Sequence, residues 1–270
     1  MSDFPYCLNT STIRPTPLLQ KIRIAGLLGY QAIEPWNAEV TEYLERGGSL
    51  PELKAALADA GLRVVSMIAL HGWITADGDE YRHVLAECHR LMEQAAALGS
   101  PFIVASPPRE AVDLGRAAAR YAQLLRLGRA VGVRPALEFL GFSAGIKDVA
   151  AVRAVAEGAN DPDATIVADV FHLLRGGGSI DDLLSLPGDR VAIFHINDLP
   201  ATPPPREQTD ADRVMPGEGT ADLPRVIAHL RRIGYRGPLS LELFNPALWE
   251  RDPAEVARIG LERMRALVER

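Results

Sequence analysis

Short apolar runs alternate with longer amphipathic stretches along nearly the whole chain. Runs at 6–9, 32–34, 64–70, 102–105, 133–138, 165–169, 191–195 and 239–243 have the length and composition of strands. The segments 18–28, 50–60, 81–98, 114–131, 149–156, 180–186, 223–233 and 253–268 carry apolar residues at helical spacing and predict helices. Gly29, Gly61, Gly99, Gly132 and Gly234 follow five of these helices. A residue in the left-handed conformation commonly closes a helix there, and glycine adopts it without steric penalty.

The strands are close to continuously apolar, which suits a parallel sheet covered on both faces. Eight strand–helix units in 270 residues predict an α/β protein with a single (β/α)8 TIM barrel spanning 1–270. An open doubly wound sheet is the competing arrangement. It would want a glycine-rich phosphate turn after the first strand, and Leu8-Asn9-Thr10-Ser11-Thr12 has none. One irregular segment stands out, 199–219, rich in Pro, Asp and Thr. It follows the seventh strand and would overhang the C-terminal mouth of a barrel, as a functional lid or a disordered loop.

Composition narrows the function classes. Apolar residues make up 47% of the chain, enough for a substantial core, and the net charge of −6 opposes binding to nucleic acid or an anionic membrane. No apolar run is long enough to span a bilayer, and the first residues lack the pattern of a signal peptide. Cys7 and Cys88 are the two cysteines, too few for a disulfide framework, so a cytoplasmic setting is expected.

The candidate chemistry lies at strand ends. Glu138, Asp169, His195 and Glu242 each close an apolar run in the second half of the chain. Any one of them reads as a solvated strand end or a helix cap. Together they fall on consecutive strands, five to eight, at the end where (β/α)8 barrels carry their active sites. Three carboxylates and one imidazole suit a single divalent ion: Mn, Mg, Co or Zn. A second group stands nearby. His172 follows Asp169 by three residues, Arg213 ends the long loop, and Glu34 and His71 end strands two and three. Trp36 and Trp73 follow closely, and Phe139, Phe142 and Phe171 lie near the four strand ends. The aromatics suit the walls of a sugar pocket, or ordinary packing over the barrel.

These pieces resemble the xylose-isomerase-like barrel superfamily of sugar isomerases and epimerases, with most likeness to its keto-inositol (inosose) branch. The resemblance is carried by Leu8-Asn9-Thr10-Ser11-Thr12, Ala136-Leu137-Glu138-Phe139-Leu140-Gly141, Asp169-Val170-Phe171-His172, His195-Ile196-Asn197-Asp198, the stretch 209–219 and Leu241-Glu242-Leu243-Phe244, in order across nearly the whole chain. It implies that Glu138, Asp169, His195 and Glu242 bind one divalent metal and that His172 and Arg213 contact substrate oxygens. It also implies proton transfer on a sugar or keto-inositol through a metal-stabilised enediolate. Glu242 is the expected base, and Glu138 its partner on the opposite face. The chain departs from the pattern at Glu34-Pro35-Trp36, at His71-Gly72-Trp73 and at Asn245, where a basic residue is expected. These are positions at which substrate is read.

A dehydratase or lyase on a keto-polyol is the nearest rival, with His71 or His172 as its acid. An endonuclease IV-type nuclease would need a trinuclear zinc site and a basic groove, and six histidines with a charge of −6 argue against it. The four-ligand set argues against a non-catalytic subunit. The expected partner is a small carbohydrate or keto-inositol, and the sequence leaves a monomer and a homo-oligomer equally open.

Overall fold

A computed structural model describes residues 3–269. Its strands are β1 (Tyr6–Asn9), β2 (Ala32–Glu34), β3 (Arg63–Val64), β4 (Met67–Leu70), β5 (Phe102–Ala105), β6 (Arg134–Glu138), β7 (Thr165–Asp169), β8 (Val191–Ile196) and β9 (Leu239–Leu241). All pair in parallel, in the order β3-β2-β1-β9-β8-β7-β6-β5-β4. The two ends of this order, β3 and β4, are the halves of the strand expected at 64–70. The run breaks at Val65-Ser66 because its first half pairs with β2 and its second with β5. A parallel bridge between Trp36 and Ile68, with the Ile68 amide donating to the Pro35 carbonyl at 3.1 Å, closes the ring. The fold is therefore a TIM barrel whose third strand changes neighbour midway.

The helices are α1 (Leu18–Leu28), α2 (Asn37–Glu45), α3 (Leu50–Asp59), α4 (Gly78–Ala97), α5 (Leu114–Val131), α6 (Val149–Gly158), α7 (Val170–Arg175), α8 (Leu223–Arg232), α9 (Pro246–Trp249) and α10 (Pro253–Val268). The five glycines all take positive φ, from 66° at Gly61 to 85° at Gly29. The helix expected at 180–186 is a 3-10 helix, Ile180–Ser185, started by a reciprocal cap between Ser179 and Asp182. Helices α2, α7 and α9 were not expected. The last two have six and four residues, too short to display a helical period.

Two apolar layers matter for the site. The larger packs the helices onto the outside of the sheet. The smaller fills the barrel interior with Ile68, Ala69, Val104, Ala136, Val167, Ala192 and Ile193. Ala136, Val167 and Ile193 lie two residues before Glu138, Asp169 and His195. Side chains repeat every second residue along a strand, so each polar end stands directly above an apolar floor. Water is excluded from beneath the site, and charge interactions there are strengthened.

The segment 199–219 is an ordered strap. Asp198 and Val214 form an antiparallel bridge with two hydrogen bonds of 3.0 Å. The Asp198 carboxylate accepts from the amides of Leu199, Gly217 and Ala221. Fully buried Gln208 donates to the carbonyls of Pro200 and Pro203. The strap drives Arg213, 1% exposed, down into the barrel mouth. Among the described residues, no helix is long and apolar enough to cross a membrane.

Candidate active site

Sheet register assembles the mouth. Asn9 pairs with Glu34, Glu138 with Val167, Asp169 with His195, and His195 with Ser240. Val167 and Asp169 share a face by the two-residue repeat, as do Ser240 and Glu242. Glu138, Asp169, His195 and Glu242 consequently all point inward. Asp169 also caps α7, its Oδ1 accepting from the His172 amide at 2.9 Å.

His195 sits at the centre, fully buried. Its Nε2 lies 3.0 Å from Glu34 Oε2. Its Nδ1 makes no hydrogen bond and faces Glu242 Oε2 at 3.2 Å, Glu138 Oε1 at 3.5 Å and Asp169 Oδ2 at 3.7 Å. Burial would lower the imidazole pKa, but the Glu242 and Glu34 carboxylates outweigh it and hold it well above the usual range. An imidazolium thus supplies part of the positive charge that the acids require. Donor atoms of Asp169, His195 and Glu242 all lie within 4.8 Å of one another, and this triad could hold a metal ion. Glu138 stands to one side of the triad. Burial pushes its carboxyl up to about 7; His195 opposes the shift, and Glu242 and Asp169 add to it.

The donor set fits a divalent cation. Glu34 accepts from Nε2–H, so Nδ1, once its proton is given up, would be the ligating atom among three carboxylate oxygens, the arrangement by which a second carboxylate orients a ligating histidine. Glu34 itself is fixed by Ser240 Oγ at 2.7 Å and Asn9 Nδ2 at 3.0 Å. Its carboxyl is lowered: burial would raise it, and His195 outweighs burial. Glu34→Gln is therefore expected to weaken divalent-ion binding by about 10–100-fold while leaving the fold intact. Calorimetric titration with Mn²⁺ tests this, and an unchanged affinity would remove Glu34 from the orienting role.

Arg213 makes four contacts. Its Nη1 donates to Asp169 Oδ2 at 2.7 Å and Glu242 Oε2 at 2.8 Å. Its Nη2 donates to Asp210 Oδ1 at 2.7 Å and meets His172 Nε2 at 3.1 Å. The guanidinium lies over the rings of Phe171 and Phe244. Because Arg213 can only donate, His172 Nε2 must accept, and the proton of the neutral ring sits on Nδ1. Burial pulls His172 down to about 3, with Asp169 opposing and Arg213 adding to the shift, so the ring is neutral.

A cavity of about 340 Å³ opens above this cluster, within the range of small-molecule sites. Trp36, His71, Glu138, His172, Arg213 and Glu242 line it, with Ile68, Leu140, Phe142 and Phe244 as apolar wall. A larger cavity of about 520 Å³, lined by Asn160, Pro162, Ile166 and Arg190, lies at the opposite, N-terminal end of the strands, away from the polar cluster.

Two sequence expectations need correction. Glu34 is not among the cavity-lining residues; fully buried, it lies behind His195 because its strand register faces Asn9 and its oxygen is spent on the imidazole. Trp73 is fully buried in the outer core, donating to the Ser106 carbonyl at 3.1 Å and packing near Tyr121. The chain turns at Gly72 (φ 75°), which carries Trp73 away from the mouth while His71 stays at the rim. Phe139 is likewise fully buried outside the cavity, whereas Phe142 lines it.

Sequence reasoning missed Asn9, Ser106, Asn197, Asp210 and Ser240. Asn9 was within reach of the strand-end rule, since it closes β1 as Glu138 closes β6. Its amide is fully used: Nδ2 donates to Glu34 Oε2 and Glu242 Oε1, and Oδ1 accepts from the Ser11 amide and the Trp36 indole. Asn197 donates to Asp169 Oδ2 at 3.2 Å. Asp210 lies in the stretch 209–219 and pairs with Arg213 three residues on, across a 3-10 turn.

Comparison with known proteins places these features in context. An inosose isomerase from Halalkalibacterium halodurans is 27% identical over 261 residues, covering 93% of this chain and 92% of its own length. A 3-dehydroshikimate dehydratase from Pseudomonas putida is 24% identical, covering 93% of this chain and 40% of the larger relative. The crystal structure of the IolI protein with a bound zinc atom superposes with a TM-score of 0.92 at 24% identity, covering 100% of this chain and 98% of that one. The profile of the xylose isomerase-like TIM barrel family matches residues 22–267, and the chain belongs to that family.

Proposed function

We propose that this chain is a divalent-metal-dependent isomerase or epimerase of keto-inositols or related keto-sugars. One observation carries the reading: a buried imidazole nitrogen without a hydrogen bond, ringed by three carboxylates at the foot of an aromatic-walled cavity. The inosose isomerase relative supports the substrate class. Asp169, His195, Glu242 and Glu138 would hold the ion, and the zinc of the IolI structure supports a divalent one. Zn, Mn, Co and Mg all suit such oxygen and nitrogen donors. When bound, the ion would supply Lewis acidity that stabilises negative charge on substrate oxygens.

The protein's own groups would move the proton. Both glutamates line the cavity, but they are held differently. Glu242 has Oε1 bonded to Asn9 at 3.1 Å and Oε2 to Arg213 at 2.8 Å. Among the described residues, Glu138 accepts one long hydrogen bond, 3.4 Å from the Ser106 hydroxyl, and has His195 Nδ1 at 3.5 Å. A carboxylate with both oxygens engaged is a poorer base, which supports Glu138, rather than the Glu242 expected from the sequence, as the proton-abstracting group. Glu242 would then serve the opposite face of the enediolate or remain a ligand. Use of both faces gives epimerisation; use of one acid on both carbons gives isomerisation. The Nδ1–H of neutral His172 is a buried donor without a partner among the described residues, beside the cavity. Arg213 would steady the developing charge through Asp169 and Glu242 rather than by direct contact alone.

The dehydratase relative represents the rival chemistry. Elimination needs an acid beside the leaving hydroxyl. Burial pulls both His71 and His172 down. The match over 92% of the inosose isomerase relative, against 40% of the dehydratase, favours isomerisation. The two buried free thiols, Cys7 and Cys88, support a reducing cytoplasmic setting for such catabolic chemistry.

The test is solvent exchange. Protein loaded with Mn²⁺ is expected to bind about one equivalent and to wash deuterium from D₂O into the α-position of an inosose or ketose. Loss of water from the substrate without exchange would support the lyase instead. No bound metal and no exchange would end both readings.

A further inference from the structure

We infer that the substrate carries a carboxylate, received by Arg109 at the rim of the cavity. This rests on the keto-polyol reading above and, within it, favours keto-sugar acids over the neutral inososes and ketoses. Arg109 lines the cavity from the loop after β5. Its guanidinium lies over the Phe142 ring, 4.2 Å from the centroid. Among the described residues, no side-chain hydrogen bond or ion pair engages that guanidinium, although its backbone is firmly held. The Ala144 amide donates to the Arg109 carbonyl at 2.7 Å, and the Ser143 hydroxyl donates to the Pro108 carbonyl at 2.8 Å. These bonds tie the loop after β5 to the loop after β6, which carries Phe142.

The other arginine of the cavity is its opposite. Arg213 spends both terminal nitrogens on Asp169, Glu242, Asp210 and His172. Among the described residues lining the cavity, Arg109 is therefore the arginine whose terminal nitrogens are free, whereas Arg213 has only its buried Nε without a partner. A guanidinium stacked on an aromatic ring keeps its N–H edge exposed in a fixed plane. That planar fork matches a carboxylate in bidentate fashion. An anionic substituent would also be repelled by Glu138 and Glu242, so electrostatics would place the carboxylate toward Arg109 and the neutral keto-diol toward the acids. This sets the direction in which the substrate enters. A single guanidinium offers one bidentate edge, which matches a singly charged carboxylate better than a phosphate.

The experiment measures binding and turnover separately on Mn²⁺-loaded protein. Calorimetry gives Kd for three probes of equal carbon number: a keto-sugar acid, the neutral ketose and the ketose phosphate. Solvent exchange in D₂O is followed in parallel for the first two. The expected result is tightest binding of the keto-sugar acid, with its Kd rising at least about tenfold in Arg109→Ala and recovering partly in Arg109→Lys. The neutral ketose should change less than about twofold. Equal response of acid and neutral probes to Arg109→Ala, no binding of the acid, or a preference for the phosphate would overturn the assignment. If no probe exchanges its α-hydrogen, the isomerase reading fails, while the carboxylate preference is still decided by the three affinities.

Discussion

Glu138→Gln should slow exchange of a ketose α-hydrogen with solvent by on the order of 10²–10⁴-fold, the usual contribution of a positioned general base. The variant keeps the shape of the side chain and can still accept from the Ser106 hydroxyl. Its folding has an independent check. The Glu138 carboxyl in the ion-free fold is raised from 4.5 to about 7, first by burial. An acid whose pKa is higher in the folded state favours folding when protonated. That contribution is complete below its unfolded value and is lost as pH rises toward 7. The ion-free Gln variant should therefore be at least as stable as the parent at pH 8 and should lack this part of the pH dependence. Thermal melts in chelator between pH 4.5 and 8 measure it. Wild-type exchange rates in a well-folded Glu138→Gln protein would return the base role to Glu242.

The second large effect concerns Arg213. The sequence alone suggests that Arg213→Ala should weaken substrate binding and leave the metal site untouched. The structure gives a different expectation. Removing the guanidinium strips a buried counter-charge from Asp169, Glu242 and Asp210 at once. Breaking a buried ion pair from one side costs about 3–5 kcal/mol. In a domain of this size that lowers Tm by on the order of 10 °C. A divalent ion between the same carboxylates would restore positive charge, so added Mn²⁺ should recover much of the loss. Equal melting of the variant and the parent in chelator would show that the strap contributes nothing to the charge balance of the site.

Much of the fold was legible because it rests on local rules. Continuous apolar runs predicted the parallel strands, and helical spacing located most of the long helices. The glycines marked helix ends that all take positive φ. Elements were misread where local signals are weak. Helices of four and six residues show no period, and the break at Val65-Ser66 reflects a change of partner strand that no local rule encodes. The candidate site divides in the same way. Glu138, Asp169, His195 and Glu242 were visible as polar ends of apolar runs. Glu34 shares that signature, yet its register with Asn9 places it behind His195.

The sequence by itself determined which residues could reach the mouth, since strand period and strand end are properties of a few consecutive positions. Only the tertiary structure decided what each does there. Whether an imidazole nitrogen is left free depends on a carboxylate 161 positions away. Whether an arginine is spent or available depends on how a strap and two loops fold over the barrel. The sequence singles out Arg213 and passes over Arg109, and the fold buries the first among acids and leaves the second over the Phe142 ring. Hydrogen bonds and charge pairs act over a few ångströms of space, and no pattern along the chain records which distant residues will be brought that close.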